Sequence, residues 1–352
     1  MTIEEILRLA KEMDASDIHI APGSSLMLRM NGRLVPQSEE PIKSADIDII
    51  LKDILSKEQL KDLENMGELD FVFSVPGYSR ARVNVYSQRG TYAVSFRMLS
   101  YEVPTPESIG IPASFVELTN RKRGLLLVTG TAGSGKSTTL ASLVDVIAER
   151  DYKNIITIED SIEYLHAQKK SIVSQREIGL DIENYTSGIR SALRQDADVI
   201  VVGELQDVDT IAMALAAAEM GHLVLSTLHT SNTADAVNRM IEVFPPHQQQ
   251  QIRVQLASVL RGVVAQQLLP RSDVRGRIAA YEVLLANPTV KNLIREGKNH
   301  QIPSVFAGCR KEGMQSMDDA ILEVYMRSQI SMDTAIAYAQ DSERMEQRVR
   351  IF

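Results

Sequence analysis

The sequence predicts an α/β protein: a small α+β unit, then a larger region in which a parallel sheet is covered by helices and which ends in a helical stretch. Three observations carry this. GLLLVT, NIITIE, ADVIVVGE and HLVLSTLHT are apolar runs of strand length, each followed by a helical pattern. The first hundred residues instead alternate apolar and polar positions between turn signals. YEVPTPESIGIP, with three prolines and a glycine, separates the two regions.

Ile3, Ile6, Leu7, Ala10 and Met13 recur at helical spacing, and DIHIA then switches to a strand pattern. Residues 26–35, LMLRMNGRLV, read as a hairpin around Asn31-Gly32. SADIDIILKDILSKEQLKDLENMG reads as helix, with Gly67 as its stop. LDFVFSV, RARVNVYSQ and TYAVSFRML give three strands separated by Pro76-Gly77 and Arg89-Gly90. The expected division is therefore a domain over 1–100, a stiff non-helical linker over 101–112 and a second domain over 113–352. In the second domain helices are expected from Lys136, after NIITIE, across TIAMALAAAEMG and from about Thr233. The last seventy or so residues are mostly helical in pattern. QQQQ at 248–251 falls in a polar helix, and there is no internal repeat.

Composition narrows the function classes. An apolar fraction of 44% and a charged fraction of 24% are those of an ordinary globular protein, and the net charge of −8 argues against a surface built for nucleic acid. The lone Cys309 excludes an intrachain disulfide and a cysteine zinc site, and fits a reducing cytoplasm. MTIEEILRLAKEMDASD has no continuous apolar core, so it is not read as a secretory signal. The longest weakly polar stretch is broken by Glu219 and His222, so no membrane span is expected.

The chemistry begins at GTAGSGKS, residues 130–137, which fits G-x-x-x-x-G-K-[ST] between a strand and a helix. Gly130, Gly133 and Gly135 let the backbone N–H groups of a loop completed by Thr131, Ala132 and Ser134 converge on phosphate, and the helix that begins at Lys136 and runs on through Thr138 adds its positive end. Lys136 would reach the outer phosphates of ATP, and Ser137 would put its hydroxyl on Mg²⁺. A second Mg²⁺ oxygen is expected at a neighbouring strand end, where Glu204 closes ADVIVVGE. Glu159, Asp160 and Glu163 in IEDSIEYLH are alternatives for orienting the attacking water. His222 and His229, at the ends of an apolar strand, suggest a polar network that senses phosphate.

Together GTAGSGKS, TIEDSIEY, VIVVGELQD and GHLVLSTLHT, followed by VKNLIRE and GMQSMDDAI, resemble the type II/IV secretion ATPases. The resemblance is greatest to the PilT family of twitching-motility pilus retraction ATPases. DASDIHIAPGSSLMLRMNGRL and RARVNVYSQRGTYAVSFR extend it to the family's N-terminal domain. It implies a PAS-like α+β domain, a RecA-like P-loop ATPase domain with C-terminal helices, and a homo-hexameric cytoplasmic ring. Such a ring hydrolyses ATP and pulls on pilin at the inner membrane through a membrane-embedded platform protein. By position, it makes Glu204 the Walker B carboxylate, Glu163 the catalytic acidic residue, and His222 and His229 the histidine box. Arg82 and Arg97 become the arginines brought to the nucleotide, with Arg80 and Arg89 as nearby alternatives. Ser161, Gln206, Met220 and Lys291 depart from the family's usual residues, and none removes a phosphate, Mg²⁺ or base candidate.

Pilus assembly or type II secretion is the rival within this family, whose extension ATPases carry a four-cysteine segment absent from this sequence. A RecA-like nucleic-acid motor and a non-hydrolysing ring adaptor are the rivals from other classes. Because the expected linker lies between the candidate arginines and the P-loop, ATP is expected to draw the first domain onto the nucleotide and phosphate release to let it go.

Overall fold

Ile3, Ile6, Leu7 and Ala10 are all buried along one face of helix α1 (Ile3–Glu12), which Thr2 and Glu5 close with reciprocal capping bonds. Met13 falls off that stripe, ending the helix as its C-cap. The computed structural model describes residues 2–30, 32–75, 79–99 and 102–351. Asn31 of the expected hairpin turn, the expected Pro76-Gly77 turn and Tyr101 of the expected linker lie outside the described residues. The chain divides into two compact units, Met1–Glu102 and Val103–Phe352.

In the first unit α1 is followed by β1 (Asp17–Ile20), β2 (Met27–Met30), β3 (Arg33–Pro36), α2 (Ser44–Ile54), α3 (Lys57–Met66), β4 (Glu68–Val75), β5 (Ser79–Gln88) and β6 (Thr91–Leu99). The strands form one antiparallel sheet in the order β3-β2-β1-β6-β5-β4. Ile18, Leu28, Val83, Val85 and Phe96 pack with Leu7, Ile47 and Leu51 of the helices. The helix expected from Ser44 to Met66 is two helices. Leu55 is extended and Ser56 caps a new start, its side chain accepting from the Gln59 N–H while Gln59 reaches back.

The second unit opens inside the stretch expected to be a non-helical linker. Residues Pro106–Ile109 form a helical turn, α4, capped by Thr105. A proline at the first helical position loses no hydrogen bond, so Pro106 starts this turn rather than preventing it. Ile111 is buried in the second unit's core, so the segment is packed there. The order continues α5 (Ala113–Val116), β7 (Gly124–Thr129), α6 (Lys136–Arg150), β8 (Asn154–Glu159), β9 (Ile172–Glu177), α7 (Tyr185–Ala192), β10 (Val199–Val202), α8 (Val208–Met220) and β11 (Leu223–Leu228). It goes on through α9 (Thr233–Glu242), α10 (Pro246–Val259), β12 (Leu260–Pro270) and β13 (Arg277–Leu285). The last helices are α11 (Pro288–Glu296), α12 (Ile302–Gly308), α13 (Met317–Met326), α14 (Met332–Tyr338) and α15 (Ser342–Val349).

The 7-stranded sheet runs β13-β12-β7-β11-β10-β8-β9, parallel throughout except for the edge strand β13. β9, β12 and β13 were not among the expected strands, and irregular chain and β9 stand where a helical region was expected directly after NIITIE. Because the strands run parallel, the loops after β7, β8, β10 and β11 open on one edge of the sheet, where open α/β sheets bind ligands. Among the described residues no helix is long and apolar enough to cross a membrane.

Candidate active site

Every residue of β7 is buried, and its last, Thr129, is bonded to the segment after β11. Its hydroxyl lies 2.9 Å from the Thr230 carbonyl and accepts the Thr230 N–H at 2.9 Å. The chain then turns through Gly130–Gly135 into α6. At Gly130 φ is +155°, and a Cβ would lie 2.4 Å from the Ser134 hydroxyl and 2.5 Å from the Gln266 carbonyl. Gln266, on β12, braces the loop: it accepts from the Thr139 hydroxyl at 2.7 Å, and its amide nitrogen occupies the space a side chain on Gly135 would need. Thr131, Ala132, Gly133 and Ser137 face solvent, and Thr138 contacts the Tyr164 hydroxyl at 2.9 Å. Among the described residues the buried Ser134 hydroxyl has no hydrogen-bond partner, inside a loop whose backbone leaves no room for a larger first residue. A cradle of this shape at the head of a helix of 15 residues fits a triphosphate.

Lys136 folds back on the loop. Its ammonium donates to the Gly130 and Thr131 carbonyls at 2.9 Å each and lies 3.3 Å from His229 Nδ1. His229 Nε2 is 3.2 Å from a Glu204 carboxylate oxygen, which also accepts from Gln206 at 3.2 Å. An ammonium can only donate, so Nδ1 accepts from it, which leaves the ring proton on Nε2, the nitrogen that faces Glu204. Lys136, His229 and Glu204 thus lie in one row, each within 3.3 Å of the next. Burial pushes the Lys136 pKa down, while Glu204 first and Glu163 second pull it up. Both carboxylates are therefore close enough to feel its charge.

The structure also sorts the three acidic alternatives. Glu159 is engaged by Thr157 at 2.6 Å and Gln175 at 3.2 Å. Asp160 lies close enough to the Tyr185 hydroxyl to raise its pKa, after burial. Glu163 is exposed and is the one whose charge reaches Lys136.

The two histidines are not brought together. β11, of 6 residues, lies between them and separates them by about 20 Å. His222 sits at the opposite end of the sheet, with Nδ1 2.7 Å from the Ala197 carbonyl. Within one chain the expected two-histidine network at the phosphate is therefore not formed.

Arg82 and Arg97 lie directly opposite each other on β5 and β6. Their side chains are 50% and 74% exposed, with Asp70 3.9 Å from Arg82 and Asp17 3.1 Å from Arg97. Like charges across a strand pair are unfavourable, so this exposed face keeps two guanidinium groups side by side against the local preference. Arg80 is buried, and Arg89 occupies the β5–β6 turn with φ +48°. Of the other departures, Met220 is exposed at the end of α8, and Ser161 is half-buried in the loop after β8. Lys291 on α11 has its pKa lowered by burial and then by Arg261, Arg295 and Arg121.

Gln266, Tyr164 and Tyr185 support the site and were not singled out from the sequence. The available signal for Gln266 was a polar side chain inside the apolar run VVAQQLL. Among the described residues no group of three His, Cys, Asp or Glu could hold a metal alone. An ion here would share its shell with the phosphates, as Mg²⁺ commonly does.

The family described as "Type II/IV secretion system protein" matches residues 111–349. The type IV pilus retraction ATPase PilT of Pseudomonas aeruginosa is 40% identical over 95% of this chain and 97% of its own length. A crystal structure of the pilus retraction motor PilT with bound ADP superposes with a TM-score of 0.92 at 40% identity, covering 99% of both chains. The type IV pilus assembly ATPase PilB of Thermus thermophilus is 31% identical over 76% of this chain but only 30% of its own length.

Proposed function

The chain belongs to the type II/IV secretion system protein family, and we propose that within it this protein is the ATPase that powers type IV pilus retraction. One observation carries the reading: Lys136, His229 and Glu204 stand in a row at a phosphate cradle, at 3.3 and 3.2 Å from one another, with Glu163 in electrostatic reach. The match to retraction motors over nearly the full length of both chains supports retraction over assembly.

The residues divide the work as follows. The loop carbonyls hold the Lys136 ammonium until phosphate oxygens replace them. Ser137, exposed at the head of α6, and Glu204 are the groups suited to Mg²⁺, which supplies charge neutralisation beside the phosphates. Glu163 orients the attacking water, and His229 holds Glu204 and Lys136 in register. Arg82 and Arg97 stand on a different compact unit from the cradle. We assign them to the nucleotide of a neighbouring copy in a homo-hexameric ring, where the spreading charge of phosphoryl transfer needs cations. His222 positions the start of β11.

The first unit, read as a PAS-like domain over 1–100, and the second, read as a RecA-like domain over 113–352, would be drawn together by ATP. The ring would act on the cytoplasmic side of the inner membrane, through a platform protein, without a membrane span of its own. A deletion strain tests direction. Abundant surface pili with lost surface movement support retraction, and bald cells would assign the protein to assembly. ATP turnover that is equal in the native chain and in Glu204→Ala would mean a non-hydrolysing adaptor, and DNA-stimulated turnover would mean a nucleic-acid motor.

A further inference from the structure

Glu282 on β13 is 3% exposed, and among the described residues it forms no ion pair with a cation. An isolated carboxylate is costly to bury, so its charge must be met by hydrogen-bond donors. Four meet it. Oε1 accepts from the Thr233 N–H and the Thr233 hydroxyl, both at 2.7 Å. Oε2 accepts from the Met317 N–H at 3.3 Å and from the Gln340 side-chain nitrogen at 3.4 Å.

Thr233 and Met317 are the first residues of α9 and α13. Their caps, Asn232 and Ser316, are already bonded to Asp235 and Asp319, so Glu282 takes the N–H groups left over at both helix starts. Two helix N-termini converge on one anion, and both dipoles favour it.

The position of this joint matters more than its stability. Thr233 lies four residues after His229, on a strap whose Thr230 is clamped to Thr129 at the head of the phosphate loop. On the other side, Asp318 accepts from the backbone N–H groups of Gln340 and Asp341 at 2.7 and 3.2 Å, which fixes the junction between α14 and α15 to the start of α13. A continuous path therefore runs from Glu204 and His229, through Thr233 and Glu282, to the C-terminal helices.

We propose that Glu282 is a positioning residue that couples the His229 strap to helices α13–α15, so that a shift of His229 when the outer phosphate departs is passed to the C-terminal region. This rests on the ATPase reading above and adds the element that phosphate loss moves. Glu282→Gln preserves shape but turns one acceptor into a donor facing donors. Thr233→Val keeps the N–H and loses one bond to Oε1.

The full-length chain and both variants are compared for ATP turnover and for amide exchange across residues 313–351, with Mg²⁺ and either ADP or a non-hydrolysable ATP analogue. In the native chain, exchange around α13 and Gln340 differs between the two nucleotides. In Glu282→Gln that difference disappears and kcat falls about tenfold, as expected for one lost hydrogen bond to a charged group, while KM stays within about twofold. Thr233→Val shows a partial loss of both, and it carries the test if Glu282→Gln does not fold. Coupling is overturned if the native chain shows no nucleotide-dependent difference, or if both variants keep it and lose only thermal stability, which would make Glu282 a static cap. No turnover in the native chain would overturn the ATPase reading itself, and the coupling with it.

Discussion

Replacing Gly130 and, separately, Gly133 by alanine tests whether the loop is a rigid cradle or merely a flexible tether. Gly133 has φ +75° with no atom within 4 Å of a built Cβ, so alanine there brings backbone strain alone. That strain is about 1–2 kcal/mol. If the free loop relaxes and nucleotide must restore the cradle, affinity falls about 5- to 30-fold. Gly130 has a second problem. Its Cβ would lie 2.5 Å from the Gln266 carbonyl, where ordinary contact begins at 3.4 Å, so something must move by about 0.9 Å. Gln266 sits on β12, paired on one side with β7 and on the other with β13, so the strand cannot yield freely. Overpacking of this kind adds about 1–3 kcal/mol, giving a total of about 2–5 kcal/mol and an affinity loss of about 30- to several-thousand-fold. Titration of a fluorescent ATP analogue with Mg²⁺, alongside thermal unfolding, reads both terms. Binding by Gly130→Ala within about threefold of Gly133→Ala would refute the rigid cradle.

Three further outcomes follow from the geometry. Glu163→Gln lowers kcat by about 10²–10⁴-fold with KM little changed, because an exposed residue that only orients water contributes little to ground-state binding; steady-state kinetics check it. Replacing Arg82 and Arg97 together by alanine removes about 10³–10⁵ in turnover while sparing nucleotide binding and the thermal midpoint, since both side chains are exposed; activity close to native would end their assignment. Stability also falls as pH drops below about 6.5, because the imidazole of His166, with 3% of its side chain exposed, has its pKa lowered by burial despite Asp145, with Lys169 lowering it further. In that window the unfolded chain binds a proton that the folded chain does not. Denaturant titrations at several pH values should show this slope in the native chain and its loss in His166→Gln.

What was legible in the sequence was what local pattern determines. GTAGSGKS between a buried strand and a helix contains its own structural context, and ADVIVVGE places Glu204 at a strand end without reference to the rest of the chain. What sets Glu163 apart from Glu159 and Asp160, its charge acting on Lys136, was not available from local chemistry. It depends on Gln175, which the fold brings from β9 to bond Glu159, and on Tyr185, brought from α7 beside Asp160. β12 was missed for a related reason, since its place beside β7 is a long-range pairing and its apolar run is interrupted by the two glutamines that include the loop brace. The separation of His222 from His229 was readable in principle, because seven residues of extended chain cannot turn back. Pro106 misled because a proline that ends one helix can begin another.

His229 decides between two accounts of the resting site. In one it is an acid or base that exchanges protons during hydrolysis. In the other it is a neutral spacer that accepts from Lys136 at Nδ1, 3.3 Å away, and keeps Nε2 3.2 Å from Glu204. A doubly protonated ring would turn an N–H toward an ammonium and break the chain at its centre, which favours the spacer. Glutamine offers an acceptor and a donor about as far apart as the two ring nitrogens and does not titrate. His229→Gln therefore keeps turnover within about tenfold of native, whereas His229→Ala leaves Lys136 and Glu204 unbridged and loses about 100-fold or more. Equal loss in both variants would show that the proton, and not the bridge, is what the site requires of this histidine.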